Sequence, residues 1–261
     1  MRKITYTNAV NGLSVEFSTE NPLMHLNLEG FDGSSVSANS ITYTPVEYDG
    51  QKTVLNNLSA RTITLPLEFS AKVDGKYSRS EALKVWEKLC SVFVPIHCGT
   101  LVWTDGTRSR QIECRAAEVP RITQVLPFMF STVVNLVADF PYWEDTNENS
   151  KTLSSGVGIT VTNECALAVP CYIDVTASAS SQFSCVNATV GKGLSFTGYS
   201  GSFTIDSKKC AVILSDGSYG NQYLGVSSEY FWLAPGDNTF HVANYSSGLT
   251  IRWKNMYLGV E

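Results

Sequence analysis

A chain of 261 residues can hold one large β domain or two ordinary ones. Only 16% of it is charged, below the roughly 25% usual for soluble domains, while aromatic residues reach 11%. The net charge of -5, with no basic run, argues against a grip on nucleic acid, so no sequence-specific nucleic-acid binding is expected, because binding phosphates needs clustered Lys and Arg.

Serine and threonine are plentiful and helix formers are scarce, so the expected fold class is mainly β. No stretch approaches the roughly 18 apolar residues of a membrane span. The opening "MRKITYTNAV" lacks the apolar core of a secretory signal, so a reducing compartment and no membrane are expected. The seven cysteines fit that compartment: the number is odd and no C-x-x-C occurs, so neither a disulfide nor a bound metal is expected. Asn57, Asn187 and Asn244 match the N-x-S/T pattern and read as chance matches.

In chain order, the first half shows strand after strand with period 2. Ile4 and Tyr6 share a face, as do Leu13, Val15 and Phe17, and then Met24, Leu26 and Leu28. "RTITLPLEF" aligns Ile63, Leu65, Leu67 and Phe69, with Arg61, Thr62, Thr64 and Glu68 around them. Pro66 inside that run points to an edge strand or a bulge. Residues 78–93 break the pattern, since Leu83, Trp86, Leu89, Cys90 and Phe93 have helical spacing. Ser78 and Glu81 read as a capping box, and Pro95 follows the end. "LVWTDGTRSRQIEC" reads as a hairpin turning at Asp105 and Gly106. Residues 128–140 place Phe, Phe, Thr, Val, Leu, Ala and Phe at successive even positions, the pattern of a central sandwich strand.

That strand runs into Phe140, Pro141, Tyr142 and Trp143, and then into the polar "EDTNENSKTLSSG", which reads as a linker or exposed loop. The four residues are expected to anchor the end of a first domain, 1–145, with Pro141 stiffening the exit into a second, 146–261. They would serve equally as core residues beside a loop. Beyond them the strands shorten and Gly and Ser dominate the turns, implying a second β-sandwich or jelly roll.

Motifs of catalysis are missing: no G-x-S-x-G, no phosphate-binding loop and no H-E-x-x-H. His25, His97 and His241 are the only histidines. Cys90, His97, Cys98 and Cys114 lie near one another in sequence but not at zinc-ligand spacing, so buried structural thiols are expected there. Tyr219, Tyr223, Tyr230 and Tyr245 would form a sugar-stacking platform if exposed together. Trp232 and Trp253 alternate with apolar neighbours, as core residues do.

Several local patterns then line up in order. They are "YDG" at 48–50, "NLSARTITLPL" at 57–67, the helix with Leu83, Trp86 and Leu89, "GTLVW" at 99–103 and "RSRQIECRAAEVP" at 108–120. "FPYWED", "FTIDS", "LAPGDNTFHV" and the closing "LTIRWKNMYLGV" complete the series. Together they resemble the distal tail protein family of long-tailed bacteriophages. The resemblance implies an N-terminal β-sandwich with one helix and a projecting hairpin, followed by a C-terminal galectin-like sandwich. It implies six copies in a ring at the virion tail tip, made in the host cytoplasm. The ring would join the tail tube protein to the baseplate hub and to receptor-binding or fibre proteins. It implies no catalytic residue and no cofactor, and the second half leaves no room for an inserted sugar-binding module.

A ring of heterologous contacts needs complementary patches on opposite sides of each subunit, and strand addition can supply one. The region from Ser37 to Leu58, turning at Asp49 and Gly50, is the candidate. Tyr43, Val46, Tyr48, Val54 and Leu55 would bury between subunits, unless the hairpin packs within its own subunit. Two competing readings remain: a two-domain carbohydrate-binding module acting as a monomer, and a small hydrolase using the Cys90–Cys114 region.

Overall fold

The structure, a computed structural model, describes residues 1–44, 49–153, 156–175, 182–243 and 249–260, with the side chains of all but 55–56 and 156–157. The chain divides into two compact units: Met1–Thr146 together with the stretch from Leu258, and Asn147–Tyr257.

The first unit contains β1 (Lys3–Asn8), β2 (Ser14–Ser18), β3 (Met24–Leu26), β4 (Ala38–Tyr43), β5 (Lys52–Leu58) and β6 (Arg61–Ser70). The short β7 (Lys72–Val73) and β8 (Lys76–Tyr77) lead into α1 (Arg79–Val92). Then come β9 (Gly99–Thr104), β10 (Ser109–Ala116), β11 (Thr123–Leu126), β12 (Met129–Ala138) and β13 (Trp143–Asp145). Alternation decides what goes inside. Ile4 and Tyr6, Val15 and Phe17, Ile63 to Phe69 at every second residue, Leu101 and Trp103, and Phe130, Val134 and Leu136 are all buried. Each such large apolar side chain contributes about 1.5–3 kcal/mol relative to exposure.

The strands run in the order β11-β12-β6-β3-β2-β1-β9-β10-β13, and β10 also pairs with β12. Seven strands therefore form a closed circuit, so the two layers of the expected sandwich are one continuous sheet. The β10–β12 seam is short, Arg115 opposite Val137 and Ala116 opposite Leu136. Leu13 and Leu28, expected on strand faces, lie outside β2 and β3 and are exposed.

Pro66 corrects a second expectation. β6 is not an edge, because β12 pairs along one side of it and β3 along the other. β3 ends at Leu26, opposite Leu67, and beyond it the Asn27 amide donates to the Pro66 carbonyl at 3.1 Å. In an antiparallel pair a residue's N and O point to the same side, so the donor that Pro66 lacks would face the gap past the end of β3.

α1 packs against β6, β1, β2 and β12. It buries Ala82, Leu89 and Val92, followed by Phe93, whose ring stacks on Tyr6 at 4.8 Å. Trp86 is half-buried and donates to the Pro120 carbonyl at 3.4 Å. Ser78 caps the helix by accepting from the Glu81 amide, but the reciprocal half of the expected box does not form. The Ser78 amide already donates to the Ala71 carbonyl, and the Glu81 carboxylate pairs with Lys84 at 2.7 Å.

The second unit contains β14 (Asn149–Leu153), β15 (Gly156–Asn163), β16 (Val169–Val175), β17 (Gln182–Asn187), β18 (Lys192–Thr197) and β19 (Phe203–Asp206). β20 (Ala211–Leu214), a 3-10 turn at Asn221–Tyr223, β21 (Trp232–Leu233), β22 (Gly236–Ala243) and β23 (Leu249–Trp253) follow. One sheet is ordered β14-β23-β16-β19-β20, with β21 also on β16, and the other β15-β22-β17-β18. Phe203 of the first sheet meets Phe183 and Phe196 of the second at 5.6 and 4.3 Å, so the two sheets share one core.

Here the expected linker is corrected. Residues 149–153 form a strand that pairs with β23 throughout, from Asn149 opposite Trp253 to Leu153 opposite Leu249. Its middle side chains are polar and exposed because it is the edge of its sheet, so only backbone bonding and Leu153 mark it as a strand.

Candidate functional site

An exposed hairpin with apolar side chains lies in the first unit. β4 and β5 pair from Ala38 opposite Leu58 to Tyr43 opposite Lys52, and among the described residues they form a two-stranded sheet of their own. Every residue of β4 is exposed. Ile41 is 56%, Tyr43 51% and Val54 68% exposed. Leu55 sits opposite Ile41 in the register, while Val46 and Tyr48 lie outside the described residues. The base of the arm is tied by the Ser59 amide and hydroxyl, which both donate to the Ser37 carbonyl at 2.9 and 3.0 Å. A lone two-stranded hairpin is marginal in water.

The second group of expected residues has a different character. Trp143 and Pro141 are buried, while Phe140 and Tyr142 are half-buried with ring centroids 5.1 Å apart. The Trp143 indole donates to the Gly33 carbonyl at 2.7 Å. Arg61 joins this cluster, and sequence reading missed it. Its Nε donates to the Pro141 carbonyl and its Nη1 to the Gly33 carbonyl, both at 2.7 Å, and its side chain is fully buried. Burial pulls the guanidinium below its ordinary value, and the Asp32 charge opposes that pull. Burial also acts to raise Asp32, yet hydrogen bonds from Ser35 and Ser34 and the Arg61 charge hold its carboxyl below the usual range. The signal was present in the period: residue 61 is in phase with Ile63 and Leu65, on the inward face.

The tyrosine set of the second unit does not form one open platform. Tyr219 is exposed and Tyr223 is half-buried against Phe196 and Tyr199, at 5.5 and 5.4 Å. Tyr230 buries its hydroxyl, and Tyr245 lies outside the described residues. Trp253 is a core residue, and half-buried Trp232 donates to the Ser207 carbonyl at 3.4 Å. On the outward face of the first sheet, Arg252 binds Asp174 through Nε and, at 3.1 Å, through Nη2, and Glu148 at 2.8 Å. Thr204 adds a hydrogen bond to Asp174 at 2.7 Å.

The cysteine region places Cys90 half-buried, Cys98 exposed and Cys114 buried. Burial pushes the Cys114 and Cys90 thiols up, which keeps them protonated. His97 turns its Nδ1 to the Asn8 amide at 3.3 Å. Among the described residues no three His, Cys, Asp or Glu side chains gather as metal ligands would.

Comparison with known proteins bears on this geometry. A family model described as the siphovirus-type tail component, C-terminal domain, matches residues 167–257. No curated protein sequence matches the chain. Among solved structures, the Dit protein of SPP1, described as a paradigm of the hub adsorption apparatus in phages infecting Gram-positive bacteria, superposes with a TM-score of 0.73 at 14% identity. That match covers 97% of this chain and 99% of the other. The baseplate of phage P2 in its activated conformation matches with a TM-score of 0.55 at 8% identity, over 100% of both chains. Residues 167–257 thus match the siphovirus-type tail component domain, and the whole chain shares the mainly β fold of the Dit protein of SPP1.

Proposed function

We propose that the protein is a structural component of a phage tail tip, a ring-forming adaptor that joins the tail tube to the baseplate hub and the host-recognition proteins. The observation that carries this reading is the arm of β4 and β5, a two-stranded sheet with Ile41, Tyr43 and Val54 exposed. On a monomer such an element gains little from folding. Between two copies it would bury that apolar surface, and strand addition is one way to dock it. Six copies in a ring, the first unit around the channel and the second facing other baseplate parts, is the arrangement we favour. No catalytic step is assigned to it. It would be made in the host cytoplasm and end in the virion.

Mass measurement tests the ring. The wild type, alone at several concentrations and with the neighbouring tail proteins, should assemble. A Tyr43→Asp, Val54→Asp double variant should keep the wild-type melting curve and remain monomeric. A wild type that stays monomeric with its partners, or a double variant that assembles equally well, removes the proposal.

A further inference from the structure

The first unit includes the stretch from Leu258, and the way it holds residues 258–260 is specific. Three consecutive carbonyls, those of residues 258–260, each accept from a different side chain. Arg61 Nη2 donates to Leu258, Arg110 Nη1 to Gly259 at 2.5 Å and Ser34 Oγ to Val260 at 2.9 Å. The donors come from β6, from β10 and from the turn after Phe31. That turn is itself fixed, because the Asp32 carboxylate accepts from the Ser34 and Ser35 amides at 3.1 and 2.8 Å. Val260 is 2% exposed and lines a cavity of about 280 Å³ with Leu28, Phe31 and Trp103.

Two close approaches make the fit selective. A Cβ placed on Gly259 would come within 2.6 Å of Ser34 Oγ and 3.0 Å of its Cβ. One placed on Gly33 would meet a Val260 methyl at 2.6 Å. Arg61 supplies the second half of the argument. A guanidinium out of water needs acceptors for its donors, and Leu258 provides one of the three carbonyls that Arg61 reaches. Without the tail, Arg61 and Arg110 each lose a partner and Val260 leaves its apolar seat.

We propose that the first unit carries a peptide-binding cleft, that its ligand is the chain's own segment 258–260, and that the unit is incomplete until the segment is seated. The cleft reads an extended, uncharged backbone through its carbonyls, requires glycine at the middle position and takes a small apolar side chain at the last. This holds whether or not the protein forms a ring.

Hydrogen exchange on the full chain tests it with two variants. Deleting residues 258–261 should speed exchange about tenfold or more at 31–35 and 61–65, with little change over 169–253. A synthetic peptide of residues 254–261, added in excess, should restore protection, and the same peptide with Gly259→Val should not. Full-length Gly259→Val should reproduce the deletion's pattern, and it decides the matter if the deleted chain is insoluble. Wild-type exchange at 31–35 and 61–65 in the full-length variant would overturn the proposal. So would equal loss in both units, or equal rescue by the valine peptide.

Discussion

Arg61 shows how much one inward-facing charge can organise. Its fork gathers carbonyls from residues 33, 141 and 258, which no hydrophobic side chain could bring to one point. Trp143 shares the Gly33 carbonyl with it and is wholly buried. Trp143→Ala removes a large ring and its hydrogen bond, and should cost the first unit about 3–5 kcal/mol in chemical denaturation. A loss below about 1 kcal/mol would mean the cluster collapses around the gap. Asp174 governs a pH effect in the second unit. Burial acts to raise its carboxyl, but the bonds from Arg252 and Thr204 outweigh burial and hold it below the usual carboxylate range. A carboxyl that is lower in the folded than in the unfolded chain adds stability above the unfolded value, about 3.9, and that stability fades as pH falls through the folded value. The wild type should therefore lose stability on acidification more steeply than Asp174→Asn, and the two should converge at low pH. Parallel melting profiles from pH 7 to 2 would count against this. The Tyr and Trp residues of this unit were less legible, because period 2 gives a side chain's face but not the loop that covers it, and Tyr230 is covered.

At the scale of elements, the readable parts were those whose side chains carried the signal. α1 follows from its spacing and from Ser78, and the hairpin of β9 and β10 from Asp105 and Gly106, where φ is +95°. β12 buries its even positions as its run of apolar residues requires. Elements held by backbone alone were hidden. β14 looks like a linker in sequence because three of its five side chains face water, yet its pairing with β23 makes it part of the second sandwich. Pro66 misled for a related reason. A missing donor excludes a central strand only if something waits to accept it, and β3 stops before that point. The arm was legible as a hairpin from Asp49 and Gly50, and the exposure of Tyr43 and Val54 is what the assembly test exploits.

At the scale of the whole molecule, the two units have separate cores, and we expect calorimetry to resolve two transitions. A single transition that both Trp143→Ala and Asp174→Asn shift equally would merge them into one cooperative block. The net charge of -5 per copy also sets an expectation that the protein will not retain duplex DNA at physiological salt. The seat of residues 258–260 has a further consequence, in time. The first unit begins to leave the ribosome early, but the carbonyls that meet Arg61, Arg110 and Ser34 are made only after the whole second unit. At roughly 5–20 residues per second, the intervening second unit delays them by on the order of 6–20 s. Through that interval the nascent first unit holds Arg61 with an acceptor missing. A chain interrupted before residue 258 would release a protein whose defect lies in the part translated first.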